Sequence, residues 1–216
     1  MTMTPRLRKF ALTAHIASSV GWLGAVACFL ALAIAGLTSR DAQMVRAAYL
    51  AMGLTAWFVI VPLAFASLLT GLVQSLGTTW GLFRHYWVLT KLLLTVFATI
   101  VLLLKMKLID YVAGVAATTT FSSDYLRPAR IELLVHAAGG LLVLLVIAAL
   151  SVFKPWGMTP FGRRQQPAPG ETVALPGLTA IKPRWMRVFG IIVIVLFVLF
   201  VIKHLIGGGL GLHSPR

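Results

Sequence analysis

The chain has 216 residues, 59% of them apolar and only 11% charged, with nineteen Lys and Arg against five Asp and Glu for a formal charge of +14. Soluble domains carry about 25% charged residues, so this composition excludes both a water-soluble globule and a disordered chain. Asp41, Asp110, Asp124, Glu132 and Glu171 are too few and too scattered for a carboxylate-rich metal site, and the single cysteine, Cys28, excludes an intramolecular disulfide or a thiolate cluster. The basic residues lie between long apolar runs, where they set membrane topology. That placement argues against a nucleic-acid partner and for the lipid bilayer.

Five runs approach the ~20 apolar residues that cross ~30 Å of hydrocarbon. Phe10 to Ser39 and Ala47 to Phe83 contain no charge. Trp87 to Leu104 contains Lys91. Leu133 to Phe153 follows, and Val188 to Ile206 carries Lys203 near its end. In lipid these must be helices, which satisfy their own backbone polar groups. The expected fold is therefore all-α: a polytopic membrane bundle with a four-helix core over 10–153, a basic Pro- and Gly-containing linker over 154–187, and a fifth transmembrane helix over 188–206. The first run is too long for a secretion signal and reads as a retained helix. The stretch Ile109 to Phe121 is short and amphiphilic and is expected to lie on the outer surface. No internal repeat supports a two-fold transporter.

With a cytoplasmic N-terminus, ten Lys and Arg fall inside and eight outside, Lys91 being intramembrane, and every acid except Glu171 falls outside. The bias favours N-in, C-out for a multi-pass membrane protein.

Polar groups inside lipid cost several kcal/mol unless paired or turned inward, so they carry the information. On the first helix His15, Ser18, Ser19 and Trp22 share one face. Gly21 with Ala25, and Gly24 with Cys28, form small-xxx-small pairs suited to helix contact. On the second helix Ser67, Thr70, Gly71 and Gln74 share a face, and Pro62 is expected to kink the span and free a carbonyl. The third helix offers Lys91 with Thr95 one turn on. Lys91 either snorkels to the interface or faces an interior pocket. Counted from the run ends, His15, the Ser67/Thr70/Gln74 stripe and Lys91 fall in one layer of the cytoplasmic leaflet. His15 is read as a cofactor or proton-relay histidine, against the alternative of a histidine bonded to a neighbouring helix.

The fourth helix has His136 beside Gly139 and Gly140, where missing bulk admits either a flat macrocycle or a neighbouring backbone. Glu132, four residues earlier, offers a local contact instead. Both His15 and His136 are candidate metal ligands, but on this topology their depths differ by on the order of 14 Å. Under this topology one haem is not gripped by both, which leaves one haem near His15, two separate sites, an inverted or misplaced fourth helix, or no haem. His85 suits an interfacial role, and His204 and His213 lie at the C-terminal end.

The arrangement His15-Ile16, Trp22, Gly24, Pro62, Gly71-Leu72, Trp87 and Lys91-Leu92 resembles a broad group of bacterial four-helix membrane proteins. That group includes the copper-resistance D membrane proteins and the haem-dependent protoporphyrinogen oxidase. Over about 10–160 the overall likeness is to integral membrane proteins of a domain-of-unknown-function family. Beyond that pattern the chain has a longer third-to-fourth loop, the basic linker and the fifth helix. The resemblance implies required roles for a histidine on an early helix and a lysine after a tryptophan, which here are His15 and Lys91.

Two readings follow. In the first, the bundle binds b-type haem or another porphyrin-type ligand with His15 as axial ligand. Lys91 offsets a propionate or substrate carboxylate, and Ser18, Ser19, Thr70 and Gln74 supply supporting hydrogen bonds. Redox chemistry or electron transfer would be its output. In the second, the chain is a non-enzymatic membrane component: a permease for a metal or small solute, a homo-oligomer, or an accessory subunit bound to a membrane partner.

Overall fold

The computed structural model describes residues 4–77, 86–118 and 126–153. They are almost wholly helical, and no strand occurs among them. The linker, the fifth apolar run, His85, His204 and His213 lie outside the described residues, as does the end of the Ile109–Phe121 stretch.

Helix α1 runs Pro5–Thr38. Thr4 caps its start by accepting from the Leu7 N–H, and Pro5 occupies the first turn, where its missing N–H has no intrahelical partner to lose. Three residues turn the chain, and Asp41 caps α2 (Ala42–Thr55) through the Gln43 N–H at 2.9 Å. A π-helical turn follows over Ala56–Ile60, then α3 (Val61–Gly77). The Val61 N–H reaches back five residues to the Ala56 carbonyl. Pro62 offers no N–H and its ring crowds the carbonyl four residues back, and the widened turn absorbs both defects. The kink expected at Pro62 thus takes the form of a π turn just ahead of it. Together α2, the π turn and α3 make one span. Helix α4 covers Tyr86–Thr118 and α5 covers Arg127–Phe153.

The spans form a closed ring: α1 beside α2 and α3, these beside α4, α4 beside α5, and α5 back beside α1. The α1 register is set by close approaches at both ends. Tyr49 lies against Gly36, Leu63 against Gly21, Ser67 against Ser19, and Gln74 reaches Ala11. The core runs along the bundle axis through Trp22, Phe29, Tyr49, Met52, Met106, Val112 and Leu144. Phe10, Val20, Phe58, Leu104 and Val152 are exposed. An apolar exterior around an apolar core marks a helix bundle immersed in lipid, and four helices are long and apolar enough to cross a membrane. The chain is a multi-pass helical membrane protein.

Three expectations change. The second span begins at Ala42 rather than Ala47, because Val45, Ala48, Tyr49 and Met52 pack into the core. Residues 109–118 are not a separate surface segment. They continue α4, with Ile109, Val112 and Ala116 buried along the bundle. Gly24 and Cys28 form no helix contact: an added Cβ at Gly24 meets nothing within 4 Å, and Cys28 is exposed. Of the two small-residue pairs only Gly21/Ala25 faces a neighbour, with Leu63 seated on Gly21.

Candidate functional site

The polar layer sits where α1 passes α3, and its groups are brought together by the register just described. His15 Nδ1 lies 3.2 Å from the Ser67 carbonyl oxygen and 3.1 Å from Thr70 Oγ1. The Thr70 hydroxyl donates to the Ala66 carbonyl at 2.6 Å, so its oxygen is left to accept. A carbonyl also only accepts. The proton of a neutral imidazole therefore belongs on Nδ1, shared between Ser67 and Thr70, and the lone pair belongs on Nε2. Among the described residues no hydrogen bond reaches Nε2. The ring lies against Gly71, where an added Cβ would stand 3.0 Å from His15 Cε1. Glycine is what lets the imidazole sit at the helix surface.

Around this pair the seam continues. Ser19 Oγ and Ser67 Oγ share a hydrogen bond of 2.8 Å, and Gln74 Nε2 donates to the Ala11 carbonyl at 2.8 Å. Ser18 is buried and donates back to the His15 carbonyl, and Trp22 is buried in the apolar core. These two share the His15 face without bonding across to α3.

Lys91 stands over the Trp87 ring at 5.6 Å from its centroid, a cation–π distance. The Trp57–Asp110 and Gly53–Ala113 contacts set α4 antiparallel to the α2–α3 span, which puts Lys91 near the level of Leu76. Thr95 donates back to the Lys91 carbonyl. Lys91 thus belongs to the same end of the bundle as His15, anchored toward the interface by Trp87.

His136 is elsewhere. Its Nδ1 lies 2.7 Å from the Glu132 backbone carbonyl on the same helix, while the Glu132 carboxylate pairs with Lys105 at 2.6 Å. The local Glu132–His136 contact is therefore made by the backbone. Arg130 reaches the carbonyl of Gly36, far along α1 from His15, whereas His136 follows Arg130 by less than two turns. At ~1.5 Å per residue the two histidines are separated by roughly 20 Å along the bundle. The length of the Arg130 side chain takes up only part of that. They cannot ligate one iron together. Among the described residues no three His, Cys, Asp or Glu side chains gather as a metal site. An added Cβ at Gly140 would meet nothing within 4 Å.

A second polar node was not legible in the sequence. Arg130 is buried, donates from Nε to the Tyr49 hydroxyl at 2.8 Å and from Nη2 to the Gly36 carbonyl, and stacks over the Tyr49 ring. By sequence Arg130 counts only as a loop charge. Nothing in the spacing of Gly36, Tyr49 and Arg130 announces their meeting.

The layer offers a single histidine ring nitrogen and no multidentate set among the described residues. A metal-bound histidine commonly donates its other ring N–H to a carbonyl, which fixes tautomer and orientation, and His15 already makes that bond. The chain matches no family model, and comparison with curated proteins and with solved structures finds no significant relative.

Proposed function

We propose that this chain is a bacterial inner-membrane protein, N-terminus inside, that binds a b-type haem or related porphyrin through His15 Nε2. The observation that carries the reading is the tether of His15 Nδ1 to the Ser67 carbonyl and Thr70 hydroxyl. It leaves the second ring nitrogen basic and without a hydrogen bond among the described residues. The similarity to the haem-dependent protoporphyrinogen oxidase group at His15 and Lys91 points the same way. A bound b-type haem supplies one-electron redox chemistry.

The residues around His15 hold and tune. Ser67 and Thr70 fix the tautomer and orientation of the imidazole. Gly71 sets how closely the ring lies on α3. Lys91 offsets a propionate or substrate carboxylate, and buried Trp22 adds apolar bulk to the same helix face. Gln74 and Ser19 hold α1 and α3 in register. His136, on this reading, is not the second ligand of the same iron.

The test is the absorption spectrum of full-length protein purified in detergent from haem-replete cells. A Soret band in the wild type that is lost in His15→Ala supports the assignment. A colourless, monodisperse wild type overturns it.

A second reading is favoured by one observation. His15, Ser19 and Gln74 each bond across the same α1–α3 contact, so the layer also serves as an interhelical seam. In that case the chain is a non-enzymatic subunit or permease component, and His15→Ala changes stability with no spectral counterpart.

A further inference from the structure

We propose that the bilayer grips only the lower part of this bundle, and that the upper ends of all four spans stand together outside the lipid as a helical collar. This inference rests on the four apolar spans and is independent of the haem reading.

The helices are too long for the membrane. Helices α1 and α4 have 34 and 33 residues, and the span from Ala42 to Leu76 has 35. At ~1.5 Å per residue each is about 50 Å long, against ~30 Å of hydrocarbon. Tilt of ordinary size does not absorb so large an excess. Part of each helix must emerge, and the side chains indicate which part.

Charges and amphipathic rings form a belt around the bundle. Trp57 Nε1 donates to Asp110 Oδ1 at 2.7 Å, and Gly53 lies against Ala113. The charged stretch of α4, Lys105 to Asp110, is therefore level with the π turn. Lys105 pairs with Glu132, which brings the upper part of α5 to the same belt. The contacts of Gly36 with Tyr49 and of Gly21 with Leu63 place the π turn level with the neighbourhood of Cys28 on α1. Lys107, Asp110 and Tyr111 are exposed there. Exposed Lys and Asp side chains within hydrocarbon cost several kcal/mol each, whereas at a membrane surface, beside Trp and Tyr, they are at home.

About 20 residues below that belt, a second boundary is marked by Lys9 on α1 and by Tyr86 and Trp87 on α4, with Lys154 a similar distance beyond Glu132 in the sequence, matching ~30 Å of hydrocarbon. These boundaries give the same thickness although the apolar runs differ in length. Hydropathy alone would centre the second span on its uncharged run and bury the π turn, and with it Lys107 and Asp110, in mid-membrane.

The collar then comprises the last turns of α1, all of α2, the end of α4 and the start of α5. Its exterior shows Asp41, Gln43, Arg46, Thr118 and Arg127 alongside exposed Ile34, Met44 and Leu54. Its interior holds Tyr49, Met52, Val112 and Ala116 around the Arg130 node. A buried arginine is thereby accommodated in a protein core beside water rather than in lipid.

Full-length protein with Cys28→Ala, reconstituted in phosphatidylcholine liposomes, tests this with a charged, membrane-impermeant maleimide added to both faces. Single cysteines at exposed apolar positions are compared: Ile34→Cys and Leu54→Cys in the collar, Leu69→Cys and Ile100→Cys in the band. The collar pair should label nearly to completion in the bilayer, and the band pair only after SDS solubilisation. Protection of both collar positions, or labelling of both band positions, overturns the proposal. Hydroxyl-radical footprinting of the unsubstituted protein in the same liposomes makes the test without any cysteine variant. Leu54 oxidised and Leu69 protected is expected, and equal protection of the two contradicts it.

Discussion

Arg130 and Tyr49, separated by most of the bundle in sequence, meet in the core: the guanidinium donates to the phenol oxygen at 2.8 Å and its carbon lies 5.3 Å from the ring centroid. One side chain thus ties α5 to α2, and through the Gly36 carbonyl to α1. Tyr49→Phe keeps the ring and removes the acceptor. A hydrogen bond to a charged donor contributes roughly 1.5–3 kcal/mol, and Tyr49→Phe should lower detergent-solubilised stability by about that amount. Reversible denaturant unfolding followed by circular dichroism measures it. An unchanged midpoint would mean that the Arg130 contact with Tyr49 contributes nothing net.

The same node makes a glycine indispensable. A Cβ at Gly36 would stand 2.8 Å from Tyr49 ring atoms, which is inside any real contact distance. Gly36→Ala should therefore destabilise, by roughly 1–3 kcal/mol as for other overpacked cores. Gly24 is the internal control, since an added methyl there meets nothing within 4 Å. Gly24→Ala should be neutral or stabilising by up to ~1 kcal/mol, the helix preference for Ala over Gly. Thermal unfolding of the two variants side by side reads the difference, and equal effects would contradict the packing described.

The His15–Thr70 bond crosses from α1 to α3, and a double-mutant cycle isolates it. His15→Ala, Thr70→Val and the double variant should show a coupling of about 0.6 kcal/mol and no more than ~1.7, the range measured for hydrogen bonds between membrane helices. Additive effects within error would mean that the two side chains do not act together. Gly71→Ala should disturb the same pair, because its methyl lands 3.0 Å from His15 Cε1.

Much of the fold could be read from the residues because the membrane imposes a simple rule: charge-free runs become helices. Helices form over the apolar runs of spans one, two and four, although α2 starts at Ala42 and α5 at Arg127, each ahead of its run. The third was read short because Lys105, Lys107 and Asp110 interrupt its apolar run, whereas in the bundle those groups pair or reach the surface while α4 continues past them. The co-layering of His15 with Ser67, Thr70 and Gln74 was legible from depth and periodicity, since both helices are regular between the layer and the membrane edge. The separation of His15 from His136 was legible for the same reason. The Arg130–Tyr49–Gly36 node was not. It depends on the register of three helices, and helix register between spans is fixed by packing, which one sequence does not display. The outward turn of Gly24 and Cys28 was hidden likewise, because small residues suit a helix contact and a lipid-facing surface equally well.

The claim on which the functional account turns is that His15 Nε2 is the donor nitrogen for haem. Titration of purified protein with hemin in identical detergent micelles tests it, comparing wild type, His15→Ala and His136→Ala by Soret absorbance. The account predicts saturation near one haem per chain for the wild type and for His136→Ala, with no saturable binding by His15→Ala. Binding that survives in His15→Ala, or a wild type that takes up no haem at all, would contradict it.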